Sequence, residues 1–331
     1  MGIVFMAGGC QLEKIGWEVE SGSIQLSPSY ENRSGGTRTI RPAAGGSYIG
    51  KVVPARADYY IKCGIFQDSV NACISFKEGT IVHATVLVTY NVDTTLATIK
   101  VYQGTTAGLL VGTYTGGPSL LVWHCIEIYC KSDNSAGMIT VKLDGVERLA
   151  LENLDTNNAG TSVIDSVTFG NTTATGPYYD DVVIRDDIWP GVGSVYALVP
   201  IGVGANAGFT ASAGNPFQCV DEIPPTYTDY ISKDASVLNT KHDFALTQLT
   251  GTYIAIRAVA VLARAKLDAS GTGGVRATAI SGATTVNGTA QALTVTDQLL
   301  PQIYMAVNPA AGTPVWDKTS INALLAGVET Q

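Results

Sequence analysis

Between Trp123 and Gly145 the chain reads WHCIEIYCKSDNSAGMITVKLDG, and this stretch holds the residue types that chemistry uses. His124 is followed at once by Cys125, Cys130 lies a short way on, and Asp133 and Asp144 stand nearby. Imidazole, thiolate and carboxylate groups bind zinc when each reaches within ~2.0–2.3 Å of one centre. His124–Lys131, however, is a run of β-forming residues. A strand rises ~3.3 Å per residue and alternates faces, which sets His124 and Cys130 on one face roughly 20 Å apart and turns Cys125 the other way. One strand cannot gather these ligands, and with three histidines in the whole chain there is little to complete the set. Cys130 is instead expected in a sheet core with Ile126 and Ile128, leaving Glu127 and Tyr129 on the opposite face.

Other constellations fare similarly. Glycoside hydrolysis needs two carboxylates flanking one bond. The nearest approach is Glu13, Glu18 and Glu20 beside Trp17, where Glu18 and Glu20 are two apart but no third acid completes an E-x-D-x-x-E pattern. His83 lies in an apolar run, His124 opens a strand and His242 sits in a Lys-His-Asp cluster. No Gly-x-Ser-x-Gly elbow is present, and no cysteine is singled out as a nucleophile, so no catalytic residue is assigned. Gly202–Gly208, GVGANAG, resembles a dinucleotide loop, but FTASAGNPF follows in place of the helix that would hold a pyrophosphate; a flexible loop is expected. Tyr178–Asp187, YYDDVVIRDD, offers Asp180 and Asp181 as candidate ligands for a structural calcium, which takes six to eight oxygens. Adjacent acids on a strand face opposite ways, so the blander account has one aspartate tying down a loop through backbone N–H groups while the other faces water. Asn32, Asn171 and Asn287 begin glycosylation sequons, which carry no weight without a secretory route.

The elements that position these residues follow from composition and period. The 331 residues suggest two domains. Hydrophobic residues make up 46%, enough for a substantial core, while 15% are charged, against roughly 25% in an average soluble protein. A surface this thinly charged suits packing against other subunits. The net charge of −8, with no basic run, excludes nucleic acid and anionic membranes as partners. No export signal is read in MGIVFMAGGCQLEK, and residues 188–220, though free of charge, contain six glycines and three prolines and are too broken to span a bilayer. A soluble protein made in a cytoplasm, with reduced thiols in its core, is expected. Cys63 and Cys73 are the one pair that could face each other across a hairpin.

The dominant period is two. Asp58–Phe66, Ile81–Tyr90 and Leu96–Tyr102 are bounded by turn residues, and short strands then recur about every dozen residues, which predicts β-sandwiches. Asp144-Gly145 is read as a tight hairpin turn. A breaker cluster at Trp189-Pro190-Gly191 divides the chain into a β-sandwich over 1–190 and a second, smaller β-sandwich over 191–331. In the latter, Val195–Pro200 is expected to be a strand, Pro224-Pro225 to end a segment, and Tyr253–Asp268 to form one long buried strand. GVRATAIS, QIYMAVN and NALLAGVET complete the strand candidates.

The stretch from Trp123 through Asp187 resembles the second half of concanavalin/laminin-G-like jelly rolls. In these a Trp-His pair leads into an IEIY strand, a Val-x-Leu-Asp-Gly hairpin follows, and a Tyr-Asp-Asp-Val strand closes the domain. Its continuation through VYALVPIG, VDEIPPTYTDYIS and INALLAGVET resembles virion structural proteins of tailed bacteriophages, where two such sandwiches occur together. The resemblance implies a non-enzymatic particle component, tail-associated or a decoration of the capsid exterior, working through contacts with other virion proteins and as a homo-oligomer. It carries over no catalytic, cofactor or ligand residues. The alternative is a lectin-like module that attaches to host-surface glycans, with Trp123, Tyr178 and Tyr179 as the stacking platform.

Overall fold

The computed structural model describes residues 3–7, 17, 19–22, 24–27, 39–67, 71–90, 96–158, 160–172, 176–222, 228–251, 255–310 and 315–331. Glu13, Glu18, Cys10, Asn32, Pro224, Pro225 and Tyr253 lie outside them. The chain is all-β and divides into two compact units, Met1–Ala197 and Leu198–Gln331.

In the first unit two antiparallel sheets enclose one core. Among the described residues, one sheet runs in the order Val146–Leu154, Gly137–Leu143, Trp123–Lys131, Asp58–Phe66, Tyr178–Arg185, Thr39–Pro42, Ile24–Ser27, with Ile3–Ala7 also pairing Tyr178–Arg185. The other runs Leu109–Ser119, Leu96–Gln103, Ile81–Tyr90, Ala72–Glu78, Ile164–Gly170, Tyr48–Arg56, Val19–Ser21. Period-two alternation explains the core: Ile126, Ile128 and Cys130 of one strand meet Ile61 and Cys63 of its neighbour, with Ile74, Phe76, Val86 and Phe169 contributed by the other sheet. Tyr179 joins the sheets by polar contact, its hydroxyl donating to the Gly170 carbonyl at 2.7 Å and accepting from the Cys73 amide at 3.0 Å. Cys130 packs where the alternation places it.

The Cys63–Cys73 pairing, which the sequence leaves open beside the expected reduced thiols, does not form. Asp58–Phe66 and Ala72–Glu78 belong to opposite sheets rather than to one hairpin, and neither cysteine is in a disulfide. Burial pushes the Cys73 thiol up to about 11 and the Cys130 thiol higher still, so both remain protonated and unreactive at neutral pH.

Among its described residues the second unit has a six-stranded sheet ordered Pro200–Ala207, Lys241–Leu246, Leu325–Thr330, Gly274–Ser281, Thr284–Asn287, with Gln291–Ala292 also on Gly274–Ser281, plus three two-stranded ribbons. Four local expectations change. Val195–Pro200 is not a strand, whereas the glycine-rich GVGANAG, expected to be a loop, is one: Pro200–Ala207 alternates half-buried Gly202, Gly204 and Asn206 with exposed Ile201, Val203 and Ala205. A Cβ at Gly204 would come within 3.0 Å of Asp243 backbone atoms, so this glycine allows close approach to the next strand. The long strand over Tyr253–Asp268 is broken into Val259–Val261 and Arg264–Ala265, each pairing a different partner segment. NALLAGVET splits, its asparagine closing a single helical turn, Lys318–Asn322, capped by Asp317, before the strand Leu325–Thr330 begins.

His242 is fully buried in this unit, stacked on Phe244 at 4.7 Å, with Nδ1 accepting from the Phe209 amide at 3.1 Å. Burial holds its pKa below the ordinary value, an effect only partly opposed by the Asp243 carboxylate. Folding therefore favours the neutral ring. Its contribution to stability is complete above the unfolded pKa of about 6.5 and declines as pH falls through that value towards the lowered folded one. Hydrogen exchange at Leu325–Thr330 should accelerate between pH 7 and pH 5 after correction for intrinsic rates, and His242→Gln should flatten that dependence; an unchanged slope in the variant would assign the effect elsewhere.

Candidate functional site

Three places in the molecule bring polar or exposed groups together. The first is the outer face of the sheet that contains Trp123–Lys131. With Ile126 and Ile128 turned inward, Glu127 points outward, and the same parity turns out Lys62, its register partner on the neighbouring strand. Both side chains are nonetheless buried, because residues 188–195 cross this face as a strap. The Gly191 amide donates to Glu127 Oε1 at 2.6 Å, Lys62 Nζ donates to the Gly193 carbonyl at 2.5 Å, and the Val195 amide donates to Asp181 Oδ1 at 2.6 Å. Alternate strap residues thus meet one ionic side chain from each of three adjacent strands. Trp189 packs edge-on to Tyr60 at 5.3 Å and lies beneath the Lys142 ammonium at 3.7 Å, which fixes the start of the strap.

Asp180 and Asp181 belong to this arrangement. The register against Asp58–Phe66 slips between Asp180 and Val183, and Asp181 adopts φ 51°. This β-bulge breaks simple alternation, so that Tyr179 before it and Val182 and Ile184 after it all reach the core. The expectation that adjacent acids face opposite ways, one of them in water, therefore does not hold: both are buried. Asp180 Oδ1 accepts from the Asp181 amide at 2.7 Å, and Asp181 does tie down a loop, as the Val195 bond shows. Among the described residues no three His, Cys, Asp or Glu side chains are gathered as a metal would require.

The stacking platform does not assemble. Tyr178 and Tyr179 are buried; Tyr178 lies edge-on to Phe66 with the Arg41 guanidinium 4.5 Å from its ring centre, and Tyr179 is the inter-sheet tie described above. Their strand has neighbours on both sides and a covered outer face, so neither ring reaches a ligand. Trp123 is half-buried against Phe66.

The second place is one that sequence spacing does not reveal. Ser119 ends the strand Leu109–Ser119 in one sheet, residues 120–122 cross over, and His124 lies in the first turn of pleat of Trp123–Lys131 in the other. Asp144 and Gly145, at φ 52° and 80°, make the tight hairpin turn expected of them, and that turn aims the Asp144 carboxylate back at His124. Nδ1 of His124 is 2.7 Å from Asp144 Oδ2, and Nε2 is 3.0 Å from Ser119 Oγ. A carboxylate accepts only, so Nδ1 carries a proton, and in the neutral ring Nε2 is left to accept from the serine hydroxyl. The second carboxylate oxygen accepts from the Cys125 amide at 2.8 Å, which fixes the orientation of Asp144. Asp144 is 47% exposed and His124 16%. His83, by contrast, is a core histidine whose Nε2 meets the Val163 carbonyl at 2.7 Å.

The third place is the sheet margin. The edge strand Val146–Leu154 carries Glu147, Arg148 and Glu152, whereas the edge strands Leu109–Ser119 and Pro200–Ala207 carry no charged residue. No helix among the described residues is long and apolar enough to cross a membrane.

No protein-family model matches the chain, and no curated protein matches it. Solved structures with a related folding pattern include the alginate lyase Aly36B, at 16% identity and TM-score 0.37 over 56% of this chain and 97% of that one. A second is the CBM2 module of the evolved Dit of Lactobacillus casei BL23 phage J-1, at 12% identity and TM-score 0.36 over 56% of this chain and 97% of that one. The Caenorhabditis elegans galectin LEC-6 is at 8% identity and TM-score 0.29, over 44% of this chain and 95% of that one.

The strap makes a direct prediction. Glu127→Ala leaves the Gly191 amide without its acceptor, which should destabilise the first unit by ~1–3 kcal/mol and open residues 190–195 to limited proteolysis. Glu127→Gln, which keeps an acceptor, should show a smaller loss in denaturant titration and slower cleavage.

Proposed function

We propose that this chain is a structural component of a bacteriophage particle, tail-associated or on the capsid exterior, that acts through protein–protein assembly with copies of itself and with other virion proteins. The observation that carries the proposal is the edge strand Pro200–Ala207. An edge strand offers unpaired backbone donors and acceptors, and proteins that stay monomeric guard such edges with charge, proline within the strand or cover. Here the only proline is the first residue and no charge is present; the short helical turn Pro216–Cys219 packs against the strand, yet Ile201 and Val203 remain 50% and 42% exposed. Leu109 and Leu110, exposed at the start of the other uncharged edge, repeat the pattern in the first unit. The charge-poor composition and the likeness of the sequence to tailed-phage virion proteins point the same way.

Binding of host-surface glycan is the less supported reading, since two of the three aromatic rings it needs are in the core.

Assembly through this edge predicts an oligomer at micromolar concentration in light scattering. Val203→Lys, placing an ammonium on the contact, should weaken association more than about tenfold, equivalent to ~1.4 kcal/mol, without lowering the unfolding midpoint. In particles, the protein should be present in stoichiometric amount by mass spectrometry; its presence in infected cells but absence from purified particles would overturn the virion assignment.

A further inference from the structure

We propose that Ser119 is an activated nucleophile, and that Ser119, His124 and Asp144 form a site that cleaves small acyl esters. This goes beyond the assembly reading, in which none of the three has a role. The three side chains come from three separate segments: the end of one sheet, the start of a strand in the other, and a tight turn. They nevertheless form a single chain of hydrogen bonds with the polarity that acyl transfer requires. In the neutral ring, serine meets the unprotonated imidazole nitrogen and the protonated nitrogen meets a carboxylate. These are the roles by which such a triad is recognised whatever the order of its members in sequence.

A second observation marks the same place. Leu121, between Ser119 and His124, adopts φ 58°, a conformation that strains a side chain larger than glycine or asparagine. Its amide is held by the Gln67 carbonyl at 2.9 Å. Such strain clusters at functional sites. Here the strained crossover turns the Leu121 and Val122 side chains outward, 63% and 51% exposed, beside the serine. An open site flanked by two aliphatic side chains suits an ester with a short apolar acyl group arriving from solvent.

In the step assigned to it, Ser119 Oγ attacks the ester carbonyl carbon while its proton passes to Nε2 of His124. Collapse of the tetrahedral adduct breaks the bond to the alcohol, which departs with that proton and leaves an acyl-serine. Water, giving a proton to the same nitrogen, attacks the acyl carbon; the Ser119 oxygen leaves and takes the proton back, releasing the carboxylic acid. Asp144 holds the ring in the required tautomer and offsets the charge of the transient imidazolium, and so is a positioning residue.

The test treats the intact protein with a fluorophosphonate, maps the adduct by peptide mass spectrometry, and follows p-nitrophenyl butyrate hydrolysis alongside. The expected result is a single adduct on Ser119, ester hydrolysis that disappears in Ser119→Ala, and a labelling rate that falls at least about 100-fold in His124→Gln, as loss of a general base implies. Asp144→Asn should lower kcat for p-nitrophenyl butyrate with KM little changed, and Asp144→Glu, which keeps a carboxylate, should restore part of it; a purely structural Asp144 would lower activity only in step with the folded fraction. No adduct on Ser119, or labelling there that His124→Gln does not slow while the variant remains folded, overturns the proposal.

Discussion

The arrangement on which the first unit depends is the set of three buried ionic side chains, Glu127, Lys62 and Asp181, each bonded to the backbone of one crossing segment. A charge removed from water without a partner destabilises a fold by several kcal/mol. The sheet can therefore keep these residues only while the strap is in place, and the strap, uncharged over residues 188–195 and held through backbone atoms, gains its fixed course from them. The dependence is mutual. It also explains why a strand such as Tyr178–Arg185 is buried on both faces in an antiparallel architecture that commonly leaves one face wet.

The strand pattern of the first unit was legible because alternation and turn chemistry agree there. Asp58–Phe66, Ile81–Tyr90 and the Asp144-Gly145 turn stand where periodicity puts them. In the second unit, glycine and alanine weaken the hydrophobic signal. Pro200–Ala207 reads as a loop because glycines replace one of its alternating faces, Gly204 serving close strand approach, and Tyr253–Asp268 reads as one strand because its alternation runs through a break that only tertiary pairing imposes.

Site residues were less legible, for two physical reasons. Burial of Tyr178 and Tyr179 depends on which strands flank them and on the strap above, neither of which local pattern encodes. The Ser119–His124–Asp144 chain depends on a crossover between sheets, so the separations involved match neither strand nor helix periodicity. The legible part was the hairpin turn, which presents Asp144; the missing part was that its partner strand would carry His124 within 2.7 Å of that carboxylate.

The surplus residue at Asp180–Asp181 has a consequence for how this architecture can vary. It reverses the facing of the strand partway along, so the two halves of Tyr178–Arg185 obey opposite parities. A descendant that lost Asp181 would return the strand to simple alternation, with Tyr179, Val182 and Ile184 still facing the core, but would lose the carboxylate that anchors Val195. Bulge and strap should accordingly be gained or lost together across any lineage of such chains, as one inherited unit rather than two independent ornaments.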